Sequence, residues 1–135
     1  MSYIDWDESF SVKIGHIDEQ HREMMRHINM LYCAMEERSN GDRVSRLIDD
    51  LIQYTKFHFN TEEELIISHS YPEYKIHKAA HDSIMDQISE IREGLDGGAI
   101  KLSPELIDFL YDWLVTHIID TDRRYMTFLN SRGIY

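Results

Sequence analysis

From about residue 18 to about residue 130 the chain repeats apolar positions at spacings of three and four, the period of helices that each bury one face. Asp18 is placed as the N-cap of a first helix running to about Arg38, with His21, Met24, Ile28, Leu31 and Met35 on one stripe. Ser39-Asn-Gly-Asp42 stops it. A second helix, from about Arg43 to Ser68, aligns Leu47, Leu51, Tyr54, His58, Glu62 and Leu65 before Tyr71-Pro72 ends the run. The third has the most regular seam: Tyr74, His77, His81, Ile84, Ile88, Ile91 and Leu95, terminated by Gly94 and Gly97-Gly98. Ser103-Pro104-Glu105 supplies an N-cap and an N1 proline for the fourth, whose inward face reads Leu106, Leu110, Trp113, His117, Tyr125 and Phe128.

Short connections make neighbouring helices antiparallel, so the pattern predicts an all-α, up-down-up-down four-helix bundle. Residues 1–17 carry no sustained period and are expected to form an N-terminal arm, with Trp6, Phe10 and Val12 available to pack on the bundle. The arm and the bundle over about residues 18–130 are read as one domain spanning 1–135, with no linker or repeat.

The charge narrows the partners. With 25 acidic against 14 basic residues the net charge is −11, and no block of Lys or Arg forms a stripe, which argues against nucleic acid and anionic membranes. The opening residues have neither a basic region nor an apolar run of signal-peptide type, and no apolar stretch approaches the ~20 residues of a membrane span, so a cytoplasmic location is expected. The single cysteine, Cys33, excludes an internal disulfide and a thiolate-rich metal site.

Polar residues interrupt the apolar stripes. His21, His58, Glu62, His77, His81 and His117 all fall on inward faces, and either Asp120 or Asp122 follows the last of them. His58/Glu62 and His77/His81 are i,i+4 pairs, each on one helical face. A lone histidine on an apolar face is ordinarily a hydrogen-bonded core residue. Five imidazoles and two carboxylates exceed what an apolar bundle can satisfy, since each unpaired buried group costs ~1–3 kcal/mol. Bound metal is the economical explanation. Nitrogen and oxygen donors without sulfur, with carboxylates able to bridge, point to two non-haem iron ions. Helical spacing favours Asp120, because Asp122 lies about 140° round from His117 on an ideal helix. His16, His27 and His69 fall outside the stripes or near loop ends and are expected to face solvent.

Asp18-Glu-Gln-His21, His58-Phe59-Asn-Thr-Glu62-Glu63, Tyr71-Pro72 followed by His77-x-x-x-His81, and Trp113-Leu114-x-x-His117-Ile118-x-x-x-Asp122-x-x-Tyr125 together resemble the hemerythrin family, specifically its single-domain bacterial members. The arm segment Trp6-Asp7-Glu8-Ser9-Phe10-Ser11-Val12 is similar as well, and the resemblance spans essentially the whole chain. It selects Asp122 as the last carboxylate. It implies that His77, His81 and His117 hold one iron and His21 and His58 the other, with Glu62, Asp122 and an oxo or hydroxo group bridging both. The implied function is reversible dioxygen binding for storage, delivery or scavenging, by a protein that is not an enzyme. Di-iron chemistry on peroxide or nitric oxide, and oxygen or redox sensing, are the alternatives. Leu114, Ile118, Phe59, Met24 and Trp113 are the candidates to line a dry oxygen pocket at the two-histidine iron. Ile66 departs from the family's pattern, where many members carry methionine.

Overall fold

A computed structural model describes residues 5–135. Helix α1 spans Gly15–Glu36, α2 Gly41–Ser68, α3 Tyr74–Asp96 and α4 Pro104–Thr116. The fourth rod then passes through six residues of π-helix, His117–Asp122, before finishing as α5, Arg123–Asn130. Helix α1 packs on α2 and α4, and α2 packs on α3, giving the antiparallel four-helix bundle. No strand occurs among the described residues.

Local chemistry explains the helix ends, with one correction. The Asn40 side chain caps α2 by accepting from Arg43 N at 2.9 Å, so this helix begins two residues before Arg43. Ser103 caps α4 by accepting from Leu106 N at 3.3 Å, with Pro104 at the first position as expected. Asp18 is not the N-cap of α1. The helix starts three residues earlier, and Asp18, in its first turn, accepts from Ser11 Oγ at 2.6 Å and Val12 N at 2.9 Å. Its carboxylate thus ties the arm to the bundle instead of opening a helix. Val12 and Ile14 are consequently buried in the core, and Trp6 and Phe10 pack partly over it. Gly94 is needed because the α3–α4 loop folds back on it: Ile100 N donates to Gly94 O at 3.0 Å, and a Cβ at residue 94 would come within 2.7 Å of Ile100 Cγ1.

The core runs the length of the bundle and brackets the polar cluster. Ile28, Leu31, Ile48, Leu51, Ile88, Ile107 and Leu110 are buried, as are Ile66, Tyr125 and Leu129. Burying each such side chain stabilises the fold by ~1.5–3 kcal/mol, which offsets the cost of a charged interior. His27 is also buried, against the expectation of exposure, and packs on the Tyr54 ring at 5.4 Å. His16 is exposed and His69 half-buried, its Nδ1 2.9 Å from Leu65 O. Cys33 is half-buried.

Candidate metal centre

All five stripe histidines, with Glu62 and Asp122, converge in the interior. Helix α1 contributes His21, α2 contributes His58 and Glu62, α3 contributes His77 and His81, and the π segment contributes His117 and Asp122. They form two groups that share both carboxylates: His77, His81 and His117 on one side, His21 and His58 on the other. Within each group the donor atoms lie within 4.8 Å of one another.

The π-helix settles which aspartate enters. On an α-helix Asp122 would sit ~140° from His117 and Asp120 ~60° from it. An i→i+5 ladder winds at ~4.4 residues per turn, so Asp122 moves to ~50° and Asp120 to ~115°. The structure follows the second pair of angles. Asp122 is fully buried with Oδ1 3.0 Å from His117 Nε2, and Asp120 is exposed. Helical spacing points to Asp120 only under α-helical winding, which this segment does not have. A hint was available in the β-branched run Ile118, Ile119 and Thr121, whose side chains crowd an α-helical turn.

Asp122 Oδ2 lies 2.9 Å from His21 Nε2, and Asp122 Oδ1 3.4 Å from His77 Nε2. Glu62 Oε2 accepts from His77 Nε2 at 3.0 Å, while Glu62 Oε1 contacts His58 Nε2 and stands 3.6 Å from His21 Nε2. Burial opposes protonation of His21, but Asp122 and Glu62 outweigh it and lift its pKa to about 9. His81 goes the other way: burial, with the charges of His117 and His77, pushes it down to about 3. His58 is lowered chiefly by burial. Burial would raise both carboxylates, yet the surrounding imidazoles hold Glu62 well below the ordinary carboxylate range and lower Asp122 as well. The cluster therefore keeps two buried anions and demands compensating positive charge.

The donor set fits metal ions. Nε2 of His21, His58, His81 and His117, with Glu62 Oε1 and both Asp122 oxygens, are buried without a hydrogen-bond partner. Such orphans are rare in folded proteins, and here they all face one another. Imidazole and carboxylate without sulfur match first-row divalent ions, and two shared carboxylates match a pair of them.

The apolar candidates divide. Met24, Leu114 and Ile118 are fully buried. Trp113 stands at the three-histidine side and not at the two-histidine side expected from the sequence, whereas Phe59 reaches both sides, its ring centre 5.9 Å from that of His58. Phe59 stacks on His81 with ring centres 3.7 Å apart and planes within 4°, and half-buried Trp113 stacks on His117 at 5.8 Å. Helical phase placed both inward but carried no information about which end of the cluster they would reach. Two partners of the imidazoles were also missed: His58 Nδ1 donates to Gln20 Oε1 at 2.7 Å and His81 Nδ1 to Glu63 Oε2 at 3.0 Å. Their signal was adjacency, since Gln20 precedes His21 and Glu63 follows Glu62.

The hemerythrin HHE cation binding domain profile matches residues 12–129. Bacteriohemerythrin from Stenotrophomonas maltophilia is 32% identical over 128 residues, covering 93% of this chain and 80% of that protein. Myohemerythrin-1 from Phascolopsis gouldii is 31% identical over 120 residues, covering 89% of each chain. A crystal structure of wild-type hemerythrin matches with a TM-score of 0.86 at 26% identity, over 93% of this chain and 97% of that one. Fold, buried donor cluster and sequence relatives thus agree, and the chain belongs to the hemerythrin family.

Proposed function

We propose that the chain binds dioxygen reversibly at a non-haem di-iron centre. His77, His81 and His117 would hold one ion, His21 and His58 the other, and Glu62 and Asp122 both. The observation that carries this reading is the unequal sharing of donors: three imidazoles against two around a common pair of carboxylates. One ion is thereby left a donor short, the arrangement that a small ligand needs. When bound, two ferrous ions with a bridging oxo or hydroxo group supply the two electrons that dioxygen takes up and returns.

The remaining chemistry belongs to the protein. Glu62 and Asp122 fix the two groups relative to each other and balance the positive charge. Met24, Leu114 and Ile118, fully buried, keep water from the short side, and exclusion of water hinders protonation and escape of reduced oxygen. A net charge of −11 disfavours polyanionic partners, and the proposed ligand is a small neutral gas, taken up in the cytoplasm.

Anaerobic reconstitution with ferrous iron tests the reading. The expected outcome is two irons per chain and an absorption change on exposure to air that reverses when oxygen is removed. One iron per chain, or a preference for zinc with no oxygen-dependent absorption, would overturn the di-iron assignment. Rapid multiple-turnover consumption of peroxide or nitric oxide would make the protein an enzyme.

A further inference from the structure

The two sides of the cluster differ in what stands behind them. Every imidazole in the cluster turns Nε2 towards the carboxylates, which leaves Nδ1 to face outward. On the two-histidine side the partners are neutral or missing. His58 Nδ1 meets the Gln20 amide oxygen, whose orientation is fixed because Gln20 Nε2 is turned to Thr61 Oγ1 at 3.5 Å and Thr61 in turn donates to Phe57 O at 3.0 Å. His21 Nδ1 is buried with no hydrogen-bond partner. On the three-histidine side, His81 Nδ1 donates to a carboxylate, Glu63 Oε2. Its other oxygen, Oε1, is 3.4 Å from Lys78 Nζ, a looser contact than the 2.7 Å between Lys78 and Asp82. Glu63 is largely sheltered, with 14% of its side chain exposed, so its charge acts on His81 through little water.

An anion behind an imidazole pulls on the Nδ1 proton and makes Nε2 a stronger donor, whereas an amide oxygen does so weakly. We propose that the cluster fills in order, three-histidine side first, and that Glu63 is the positioning residue that widens the gap between the two affinities. This rests on the reading that the cluster holds two metal ions. Three imidazoles against two already favour that side. Glu63 adds basicity to a ring already oriented by stacking on Phe59, and Gln20 adds orientation without charge. An ordered site lets the first ion draw Glu62 and Asp122 into place before the second arrives.

The test is an anaerobic calorimetric titration of cobalt(II) into chelator-treated protein, comparing the unmodified chain with Glu63→Gln and Gln20→Glu. The unmodified chain should show two resolved steps of one ion each. Glu63→Gln keeps the side chain's shape and should weaken the tighter step by roughly 10–100-fold while leaving the weaker step in place. Gln20→Glu should strengthen the weaker step alone. A Glu63→Gln protein whose tighter step is unchanged, or whose two steps fall equally, overturns the role of Glu63. Should Glu63→Gln lower the melting temperature of the metal-free protein, Gln20→Glu decides: an unchanged weaker step overturns the proposal. An unmodified chain that takes up only one ion overturns the two-ion reading itself, a result distinct from either variant's failure.

Discussion

Replacing Asp122 by alanine is the sharpest probe of the cluster, because the neighbouring Asp120 offers the same chemistry on the other side of the helix. Asp122 has no solvent exposure, and its oxygens lie 2.9 Å from His21 Nε2, 3.0 Å from His117 Nε2 and 3.4 Å from His77 Nε2. In the metal-free protein His21 is protonated at neutral pH, its pKa lifted to about 9 despite burial. Removing one partner of a buried ion pair leaves the other uncompensated, which costs ~3–5 kcal/mol. Asp120 is exposed, so its loss should stay within about 0.5 kcal/mol. Urea unfolding of chelator-treated protein measures both costs, and metal analysis after reconstitution should show that Asp122→Ala no longer holds two ions while Asp120→Ala does. Asp120→Ala as the costlier change, or Asp122→Ala within about 0.5 kcal/mol with both ions retained, would mean that the π-helix does not select Asp122.

Three other outcomes are expected. Leu114→Ala, a truncation at a fully buried site, should cost ~2–5 kcal/mol and, with both irons loaded, should speed decay of the oxygenated form in stopped-flow absorption; an unchanged decay rate removes its protective role. The metal-free protein should lose stability as pH rises from about 6.5 to about 9, because the raised pKa of His21 stabilises the fold below 6.5 and that contribution disappears as the ring deprotonates. Lowered His81 has the opposite sign, adding stability as pH climbs from about 3 to 6.5, and urea midpoints from about pH 6.5 to about 9 should show a smaller alkaline decline for His21→Gln than for the unmodified chain. Gly94→Ala should lower the melting temperature by an amount equivalent to ~1–3 kcal/mol, since the new Cβ meets Ile100 at 2.7 Å from Cγ1 and 3.1 Å from Cβ.

The bundle was legible in the sequence because its signals are local and periodic: stripes at three and four, the Ser103-Pro104 start, the Tyr71-Pro72 break. The convergence of the five histidines and Glu62 was legible for the same reason, since a polar residue on an apolar stripe must share the interior with its counterparts. What failed was whatever depends on position along the bundle or on departure from ideal winding. Asp18 has the residue type of a cap, but a cap is defined by backbone that turns at that point, and the turn comes at Ile14. Trp113 shares the phase of the ligands yet stacks on His117, at the opposite end of the cluster from the one expected. His27 lay off the stripe drawn through His21 and Met24 but is covered by Tyr54 from the next helix, a tertiary effect that no single-helix pattern contains. Asp122 follows from the family resemblance and not from spacing, since ideal α-helical winding favours its neighbour Asp120.

The π turn also bears on how this chain can change length. Within a regular helix, loss of one residue rotates everything downstream by ~100° and would drive the far half of the stripe out of the core. A π turn holds a surplus residue, so excision of Ile119, Asp120 or Thr121 returns the segment to α-helical winding with its flanks in phase. Leu110 and Leu114 before it, and Tyr125 and Leu129 after it, could all keep their places in the core. The fourth rod thus carries, beside its metal donors, a built-in point of length tolerance, at which a shortened chain can preserve the bundle while the carboxylate slides one residue closer to its histidine.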